Sequence, residues 1–197
     1  MTRLNAETEQ ALVAKCQQRN FEAFGQIVDA YQNRILGYVK RMVKDPEDAL
    51  DITQEVFIKA FQAFDRFDGR SSLRTWLFRI AHNLCIDRAR KNDRSPALMH
   101  LEASDADSEE WEVADERWNP EGVVLDGELM ELVEHSLSTM SERLRTVLLL
   151  HDAEDMAYDE IAATLNVPVG TVKSRLFLAR AHLKASIQAY RTEVNEI

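Results

Sequence analysis

Residues Tyr158–Lys184 read YDEIAATLNVPVGTVKSRLFLARAHLK, a stretch that predicts two helices separated by a turn. The apolar residues of the first helix share one face: Tyr158, Ile161 and Leu165. Segment 166–170 interrupts the helical pattern, because proline lacks an N–H and glycine accepts unusual backbone angles. Apolar residues of the second helix recur at helical spacing: Val172, Leu176, Ala179 and Leu183. The pattern predicts a helix-turn-helix, whose second helix can enter the major groove of duplex DNA.

The charge of the second helix favours a nucleic-acid role for this unit. The chain of 197 residues has a formal net charge of −10, which by itself disfavours DNA as a partner. Segment 173–191 nevertheless contains five Lys or Arg and no Asp or Glu, whereas acidic residues dominate segment 125–160. Many helix-turn-helix pairs contact no nucleic acid, so the motif alone is weak. The change of sign at the second helix is the observation that points to DNA.

Composition predicts a globular, all-α protein. A hydrophobic content of 45% is ordinary, glycine and proline are few, and strand-like alternation is nearly absent. Cys16 and Cys85 do not suggest the disulfide framework of a secreted protein. The N-terminal residues lack the apolar segment of a signal peptide, and no apolar run approaches the roughly 20 residues that a membrane helix needs. We therefore expect a soluble, cytoplasmic protein without membrane insertion.

An acidic segment divides the chain into two parts. Residues 101–117 carry one basic and eight acidic side chains, whereas residues 1–100 carry 16 basic and 13 acidic ones. The charge and polarity of segment 92–122 argue against a packed core there. The expected organisation is a helical domain over 1–94, an acidic flexible linker over 95–121, a second helical domain over 122–190, and a tail over 191–197.

Apolar spacing and capping residues predict the helices of both domains. A short helix over 8–19 is expected to turn Leu12, Val13 and Cys16 inward. The next helix carries a longer stripe: Phe24, Val28, Tyr31, Ile35, Tyr38 and Met42. Asp45 and Pro46 are expected to begin a third helix, which buries the following residues: Leu50, Val56, Phe57, Ala60, Phe61 and Phe64. Ser71 or Ser72 is expected to cap a fourth. In the second domain, helices near 125–138 and 142–153 precede the helix-turn-helix.

A second basic surface is predicted in the first domain. Segment 66–94 contains eight Lys or Arg against three Asp, with aromatic residues interleaved. Basic side chains follow a phosphate backbone, and exposed aromatic rings stack on unpaired bases. The combination suits separated strands better than intact duplex. For Trp76 alone, the helical spacing favours a core position.

Two long motifs resemble the extracytoplasmic-function (ECF) class of bacterial sigma factors in the sigma-70 family. Segment 45–91, DPEDALDITQEVFIKAFQAFDRFDGRSSLRTWLFRIAHNLCIDRARK, resembles region two of that family. Segment 140–184, MSERLRTVLLLHDAEDMAYDEIAATLNVPVGTVKSRLFLARAHLK, resembles region four. Both occur in the family's order and separation, so the resemblance covers nearly the whole chain. It implies a non-enzymatic protein without cofactor or metal that binds core RNA polymerase and directs promoter-specific initiation.

The resemblance also implies three groups of site residues. One group would bind the clamp helices of the largest polymerase subunit: Asp51, Gln54, Glu55, Phe57 and Lys59. A second would read the minus-ten element as melted strand with one flipped base: Phe64, Phe67, Arg70, Trp76, Arg79, Asn83 and Arg88. A third would read the minus-thirty-five element as duplex: Thr171, Lys173, Ser174, Arg175, Phe177, Arg180 and Lys184. Of these, Arg180 and Lys184 are expected on phosphates. Many relatives carry Arg at the position of Leu178.

Partners are implied by the same resemblance. The chain would also contact the flap of the second-largest polymerase subunit, and both domains would contact promoter DNA. A cognate anti-sigma factor is also expected. In many relatives that factor is membrane-bound, and it would hold the chain at the inner face of the membrane.

Two other functional classes stay open at the level of sequence. An enzyme is disfavoured because the chain lacks a Gly-rich phosphate loop and a nucleophile elbow. His82 and Cys85, three residues apart on a helix, would need a further partner to bind a metal. The alternative is a two-domain helix-turn-helix transcriptional regulator acting without core polymerase. Such a regulator would bind duplex DNA alone, whereas a sigma factor should need polymerase and favour an opened minus-ten region.

Overall fold

The computed structural model describes residues 5–92 and 127–195, and every regular element in these two ranges is a helix or a helical turn. The all-α prediction is therefore confirmed for this part of the chain. The chain divides into two compact units. The linker predicted over 95–121 lies outside the described residues, so the exact domain limits on either side of it stay predictions.

Four helices form the first unit: α1 (Ala6–Gln17), α2 (Phe21–Met42), α3 (Pro46–Ala63) and α4 (Leu73–Asn92). A single 3-10 turn, Phe64–Arg66, follows α3. Asp45 caps α3 through its Oδ1, which accepts a 2.8 Å hydrogen bond from the Glu47 N–H, and Pro46 occupies the first turn. The Ser72 hydroxyl oxygen accepts from the Thr75 N–H at 3.1 Å. The predicted start of α3 is therefore confirmed, and Ser72 is the serine that caps α4.

The core of the first unit lies between α2, α3 and α4. Its most deeply buried large side chains come from these helices: Ile27, Ile35, Val39, Ile52, Val56, Leu77 and Phe78. Helix α1 adds Leu12 and Cys16, and burial raises the pKa of the Cys16 thiol to about 11. A thiol with a raised pKa stays protonated at neutral pH and is unreactive, so Cys16 is a core residue. The Tyr31 hydroxyl donates to Glu9 Oε2 at 2.8 Å and so joins α2 to α1.

One core prediction for α3 is wrong. Leu50 was expected to be buried, but 51% of its surface is exposed. The inward face of α3 is built on Ala49, Ile52 and Val56. Leu50 lies at the border of this face, since it is seven residues before Phe57, which is buried, and four before Gln54, which is exposed. Helical spacing alone does not decide its burial, and the packing at this turn of α3 leaves it outside the core. Leu50 therefore points away from the core despite its apolar side chain.

The helices after residue 126 are α5 (Gly127–Thr139), α6 (Glu142–Leu148), α7 (Tyr158–Leu165) and α8 (Val169–Asn195). The helix predicted over 142–153 is formed, but its last turn, Leu149–Ala153, has the wider π-helical geometry. Two contacts of Ser136 join α5 to α8. Its hydroxyl donates to the Ser186 hydroxyl oxygen at 3.1 Å and lies 3.3 Å from His182 Nδ1. Helix α8 continues to Asn195, into the segment 191–197 that was predicted to be a tail.

The turn between α7 and α8 depends on Asn166. Its backbone is left-handed, with φ 55° and ψ 49°, and its N–H donates to the Ala162 carbonyl oxygen at the end of α7. Gly170 was expected to supply the unusual angles, but it lies inside α8, and Gly69 is the positive-φ glycine among the described residues. Asparagine tolerates the left-handed region better than other non-glycine residues. The turn prediction is confirmed, and the residue assigned to it is corrected.

We predict that Asn166→Val lowers the free energy of unfolding by about 1–2 kcal/mol, because a β-branched residue is strained at positive φ. Asn166→Gly is the matched control and should leave stability unchanged or slightly higher. Urea unfolding of the full chain, followed by far-ultraviolet circular dichroism, measures both variants. Equal stabilities for the valine and glycine variants would contradict a left-handed Asn166.

Candidate nucleic-acid interface

Helix α8 buries one row of side chains and exposes the opposite face. The buried row is the one expected from the sequence: Val172, Leu176, Ala179 and Leu183. Because the helix repeats every 3.6 residues, the residues between these positions form the outward face. Its exposed members are Lys173, Ser174, Phe177, Leu178, Ala181 and Lys184. The structure therefore brings four predicted contact residues together here, with Thr171 and Arg175 half-buried at the edges.

Arg180 is held by a carboxylate of its own domain. Its Nη2 donates to Asp152 Oδ1 at 2.7 Å and its Nε donates to Asp152 Oδ2 at 3.3 Å. Such a two-pronged pair fixes both the position and the plane of the guanidinium. Arg180 was predicted to touch a phosphate, and the structure instead shows it joining α8 to the π-helical turn. A phosphate contact by Arg180 stays a prediction, and it would compete with Asp152.

The same π-helical turn contacts the start of the helix-turn-helix. His151 Nδ1 lies 2.6 Å from Asp152 Oδ1, and the His151 ring stacks on Tyr158 with centroids 5.1 Å apart. Lys173 Nζ lies 6.0 Å from the centroid of the Tyr158 ring, within the range of a weak cation–π contact. The turn thus fixes α7 and α8 relative to each other. Sequence periodicity did not reveal this brace, since π-helical turns carry no simple spacing signal.

In the first unit, Trp76, Arg79 and Asn83 share one face of α4. Their spacing of three and four residues places them on adjacent turns. Asn83 is exposed, whereas Trp76 and Arg79 are half-buried. The Asn83 amide and the accessible part of the Trp76 indole can therefore meet a ligand along this face of the helix.

Two aromatic residues of the predicted surface are core residues. Phe64 and Phe67 are only 1% and 7% exposed, so neither ring can stack on a base in this conformation. The turn after α3 directs both rings against the Trp76 indole, with centroid distances of 5.3 Å and 4.9 Å. The burial of Phe64 agrees with its predicted core position, whereas Phe67, expected on the exposed surface, is corrected: both rings pack against the Trp76 indole. The aromatic spacing in the sequence did not distinguish supporting rings from exposed ones.

The loop between α3 and α4 is braced by side chains. Gln17 Nε2 donates to the Phe67 carbonyl oxygen at 2.8 Å, and Asp68 Oδ1 accepts from the Arg70 N–H at 3.1 Å. Gly69 has a φ of 71°, which favours glycine. The Arg70 guanidinium is exposed and lies 2.9 Å from Asp68 through its Nε. The loop therefore presents Arg70 to solvent from a defined backbone.

Arg88 has a different environment. It forms an ion pair with Asp48 of α3, and both side chains are partly buried. The pair joins α3 to α4. Like Arg180, Arg88 was predicted as a DNA contact and is found with a carboxylate partner, so its role at the minus-ten element stays a prediction.

The outward face of α3 carries most of the predicted polymerase-binding residues. Asp51, Gln54 and Lys59 are exposed, and Lys59 Nζ lies 3.4 Å from Glu55 Oε1 one turn earlier. Phe57 is 8% exposed, which confirms its predicted core position, and a contact of its ring with polymerase stays a prediction. Its inward direction follows from its position on the row next to Thr53 and Ala60.

Sequence analysis missed two residues of this face. Leu50 and Ile58 are 51% and 56% exposed, and they lie four residues before and after Gln54. That spacing puts all three on one line along α3. The spacing from Gln54 was the available signal, but large apolar residues in a helix are more readily assigned to the core. The face therefore combines two apolar side chains with a polar and charged border.

Of the two possible metal ligands, His82 is half-buried and Cys85 is buried. The Tyr38 hydroxyl lies 3.2 Å from His82 Nδ1, and burial lowers the pKa of His82 to about 4. Within residues 5–92 and 127–195, no three His, Cys, Asp or Glu side chains gather as metal ligands. No helix in the same ranges is long and apolar enough to cross a membrane.

Comparison with known families and sequences identifies both units. The Sigma-70 region 2 profile matches residues 27–95, and the Sigma-70, region 4 profile matches residues 130–183. The RNA polymerase sigma-H factor of Pseudomonas aeruginosa is 37% identical over 186 residues, which cover 94% of this chain and 96% of that protein. The ECF RNA polymerase sigma-E factor of Escherichia coli is 36% identical over 182 residues, which cover 92% and 95%.

Solved structures give the same fold. CnrH, in complex with the cytosolic domain of CnrY, has a TM-score of 0.67 and 26% identity, and the match covers 92% of this chain and 98% of CnrH. The sigma factor RpoE of Bartonella quintana, in complex with the anti-sigma factor NepR, has a TM-score of 0.64 and 22% identity, with coverage of 84% and 96%. The second likeness concerns the fold alone.

We predict that a double-mutant cycle of Asp152→Ala and Arg180→Ala gives a coupling of about 1 kcal/mol in unfolding free energy, because the pair is two-pronged and only partly exposed. The coupling should fall at high salt. Asp159→Ala with Arg180→Ala is the control cycle, since Asp159 is an exposed acid on the neighbouring α7. Equal couplings in the two cycles would show that the ion pair does not brace the domain.

Proposed function

Because the chain belongs to the extracytoplasmic-function class of sigma factors, non-enzymatic proteins that direct transcription with RNA polymerase, we propose that its two units read the two elements of a promoter. The second unit recognises the minus-thirty-five element as duplex, and the first recognises the minus-ten element as melted strand. Core polymerase holds both units at the required distance. The observation that carries this proposal is the exposed face of α8, which has the shape and charge of a recognition helix.

The face of α8 suits a major groove. Lys173 and Lys184 are exposed on it, and segment 173–191 contains no acidic residue that would repel phosphates. Ser174 lies near the N-terminal end of the helix, where recognition helices reach base edges. Its hydroxyl donates to the Thr171 carbonyl oxygen at 3.1 Å and retains acceptor capacity. Phosphate contacts position the helix, and the residues between the lysines contact bases.

The face of α4 suits a separated strand. Asn83 is exposed, and its amide can both donate to and accept from a base edge. Trp76 is backed by two buried rings, so the accessible part of its indole is a rigid platform for a base. Arg70 and Arg79 supply positive charge for the phosphates. Flipping a base costs a few kcal/mol, which these contacts would offset.

The outward face of α3 is the proposed polymerase-binding surface, and the clamp helices of the largest subunit are its partner. Leu50 and Ile58 provide an apolar centre, while Asp51, Gln54 and Lys59 provide a polar border. This arrangement matches the general anatomy of protein interfaces. The flap of the second-largest subunit is the proposed partner of the second unit.

We also propose a cognate anti-sigma factor and a cytoplasmic site of action, where polymerase and promoter DNA are present. Support comes from CnrH, whose structure was determined with the cytosolic domain of CnrY bound. The alternative of a regulator acting without polymerase is disfavoured by the family, and it differs in one measurable property: specific duplex binding by the chain alone.

Run-off transcription with core polymerase on a library of promoter fragments tests the proposal. We expect initiation at specific sites only when both polymerase and this chain are present.

Lys173→Ala combined with Arg175→Ala should abolish dependence on the upstream element and leave core binding intact, because both side chains lie on the recognition helix. Lys40→Ala with Lys44→Ala, at exposed positions of the first unit, is the control for lost charge. Absence of specific initiation would overturn the proposal, and specific duplex binding without polymerase would favour the alternative.

We predict that Leu50→Ser combined with Ile58→Ser weakens binding to core polymerase at least tenfold, about 1.4 kcal/mol, because two apolar side chains leave the centre of the interface. Stability should change little, since both are exposed. Phe21→Ser is the matched control: Phe21 is 75% exposed at the start of α2. Fluorescence anisotropy of labelled protein titrated with core polymerase measures the affinity of each variant. Unchanged affinity for the double variant would exclude this face as the contact.

A further inference from the structure

The outward face of α8 carries two large apolar side chains that its fold does not explain. Phe177 and Leu178 lie one and two residues after the buried Leu176, and they are 52% and 53% exposed. Folding stabilises apolar side chains by removing them from water, so such exposure in a well-packed domain marks a contact surface. Both residues lie in the middle of the face already proposed for DNA.

Leu178 projects beyond its outward neighbours. One turn before it lies Ser174 and one turn after it lies Ala181, both small and exposed. Small residues at these positions let the helix backbone approach a partner closely, and Leu178 then reaches deepest on this line. Phe177 belongs to the adjacent line, between Lys173 four residues before and Lys184 seven residues after. Phe177 therefore has two exposed lysines beside it, whereas Leu178 lies between small residues, with the half-buried Arg175 three residues before it.

The charge of the face selects duplex DNA as the occupant. Lys173 and Lys184 are exposed beside the apolar pair, and no Asp or Glu occurs between positions 173 and 191. A partner with regularly spaced negative charge and apolar groups at the bottom of a groove fits this pattern. In the major groove, the apolar group is the 5-methyl of thymine.

We propose that Leu178 is a specificity-determining residue that contacts a thymine 5-methyl group in the minus-thirty-five element. The assignment rests on the proposed function of α8 as the recognition helix. A leucine side chain has no donor for the N7 and O6 acceptors of guanine, so guanine at the same position would leave those acceptors without a partner. Leu178 therefore favours thymine over guanine at one position of the element.

Substitution of single thymines by deoxyuridine tests this assignment, because it removes the methyl group and leaves base pairing intact. The holoenzyme, reconstituted from core polymerase and this chain, is bound to a promoter found by run-off transcription, with each minus-thirty-five thymine replaced in turn. We expect one replacement to weaken binding by about fourfold, the change expected for one methyl group. Leu178→Ala should bind the thymine and deoxyuridine forms of that position equally and keep the wild-type response elsewhere.

Met130→Ala is the matched control, since Met130 is an exposed large apolar residue of α5 in the same unit. It should retain the full thymine preference. The assignment is overturned if Leu178→Ala keeps that preference, or if it weakens core-polymerase binding while the deoxyuridine pattern stays unchanged, which would make this a protein-binding surface. If the wild-type chain directs specific initiation but Leu178→Ala keeps the thymine preference, the assignment of Leu178 fails and the proposed function stays intact. Loss of specific initiation by the wild-type chain overturns both.

Discussion

Burial of one apolar row fixes the rotation of α8, and the surface that the helix presents depends on that rotation. The row consists of Val172, Leu176, Ala179 and Leu183. Fully burying one such large side chain contributes about 1.5–3 kcal/mol, whereas an exposed ion pair contributes about 1 kcal/mol or less. The core therefore decides the rotation, and this rotation determines which side chains of α8 are exposed. The surface that we propose for DNA is set before any DNA is bound.

The same constraint shapes the first unit. Ala49, Ile52 and Val56 turn one face of α3 into the core, and Leu50 and Ile58 are left facing outward. An apolar residue off the inward face, or at its border where no other helix packs on it, stays exposed whatever its hydrophobicity. A partner can bury such residues where the domain itself cannot. In both units, the apolar side chains that the core leaves outside are the ones that define the candidate interfaces.

The charge that a basic residue offers to DNA cannot be read from the sequence, because the sequence shows the basic residue but not its ion-pair partner. Arg180 pairs with Asp152, 28 positions earlier, and Arg88 pairs with Asp48, 40 positions earlier. A count of basic residues in segments 66–94 and 173–191 therefore overstates the charge offered to DNA. Lys173 and Lys184 are exposed at the candidate site of the second unit, whereas the exposed Arg70 also has a carboxylate neighbour, Asp68.

The sequence by itself determined the helical class, the order of the helices, the cap at Asp45 and the buried row of α8. These features depend on spacing and capping among residues close together in the chain, which the sequence displays directly. Only the tertiary structure decided the burial of Phe67, the exposure of Leu50 and the partners of Arg88 and Arg180. Each of these depends on how helices distant in sequence pack against one another, and packing between distant segments leaves no local pattern in the chain.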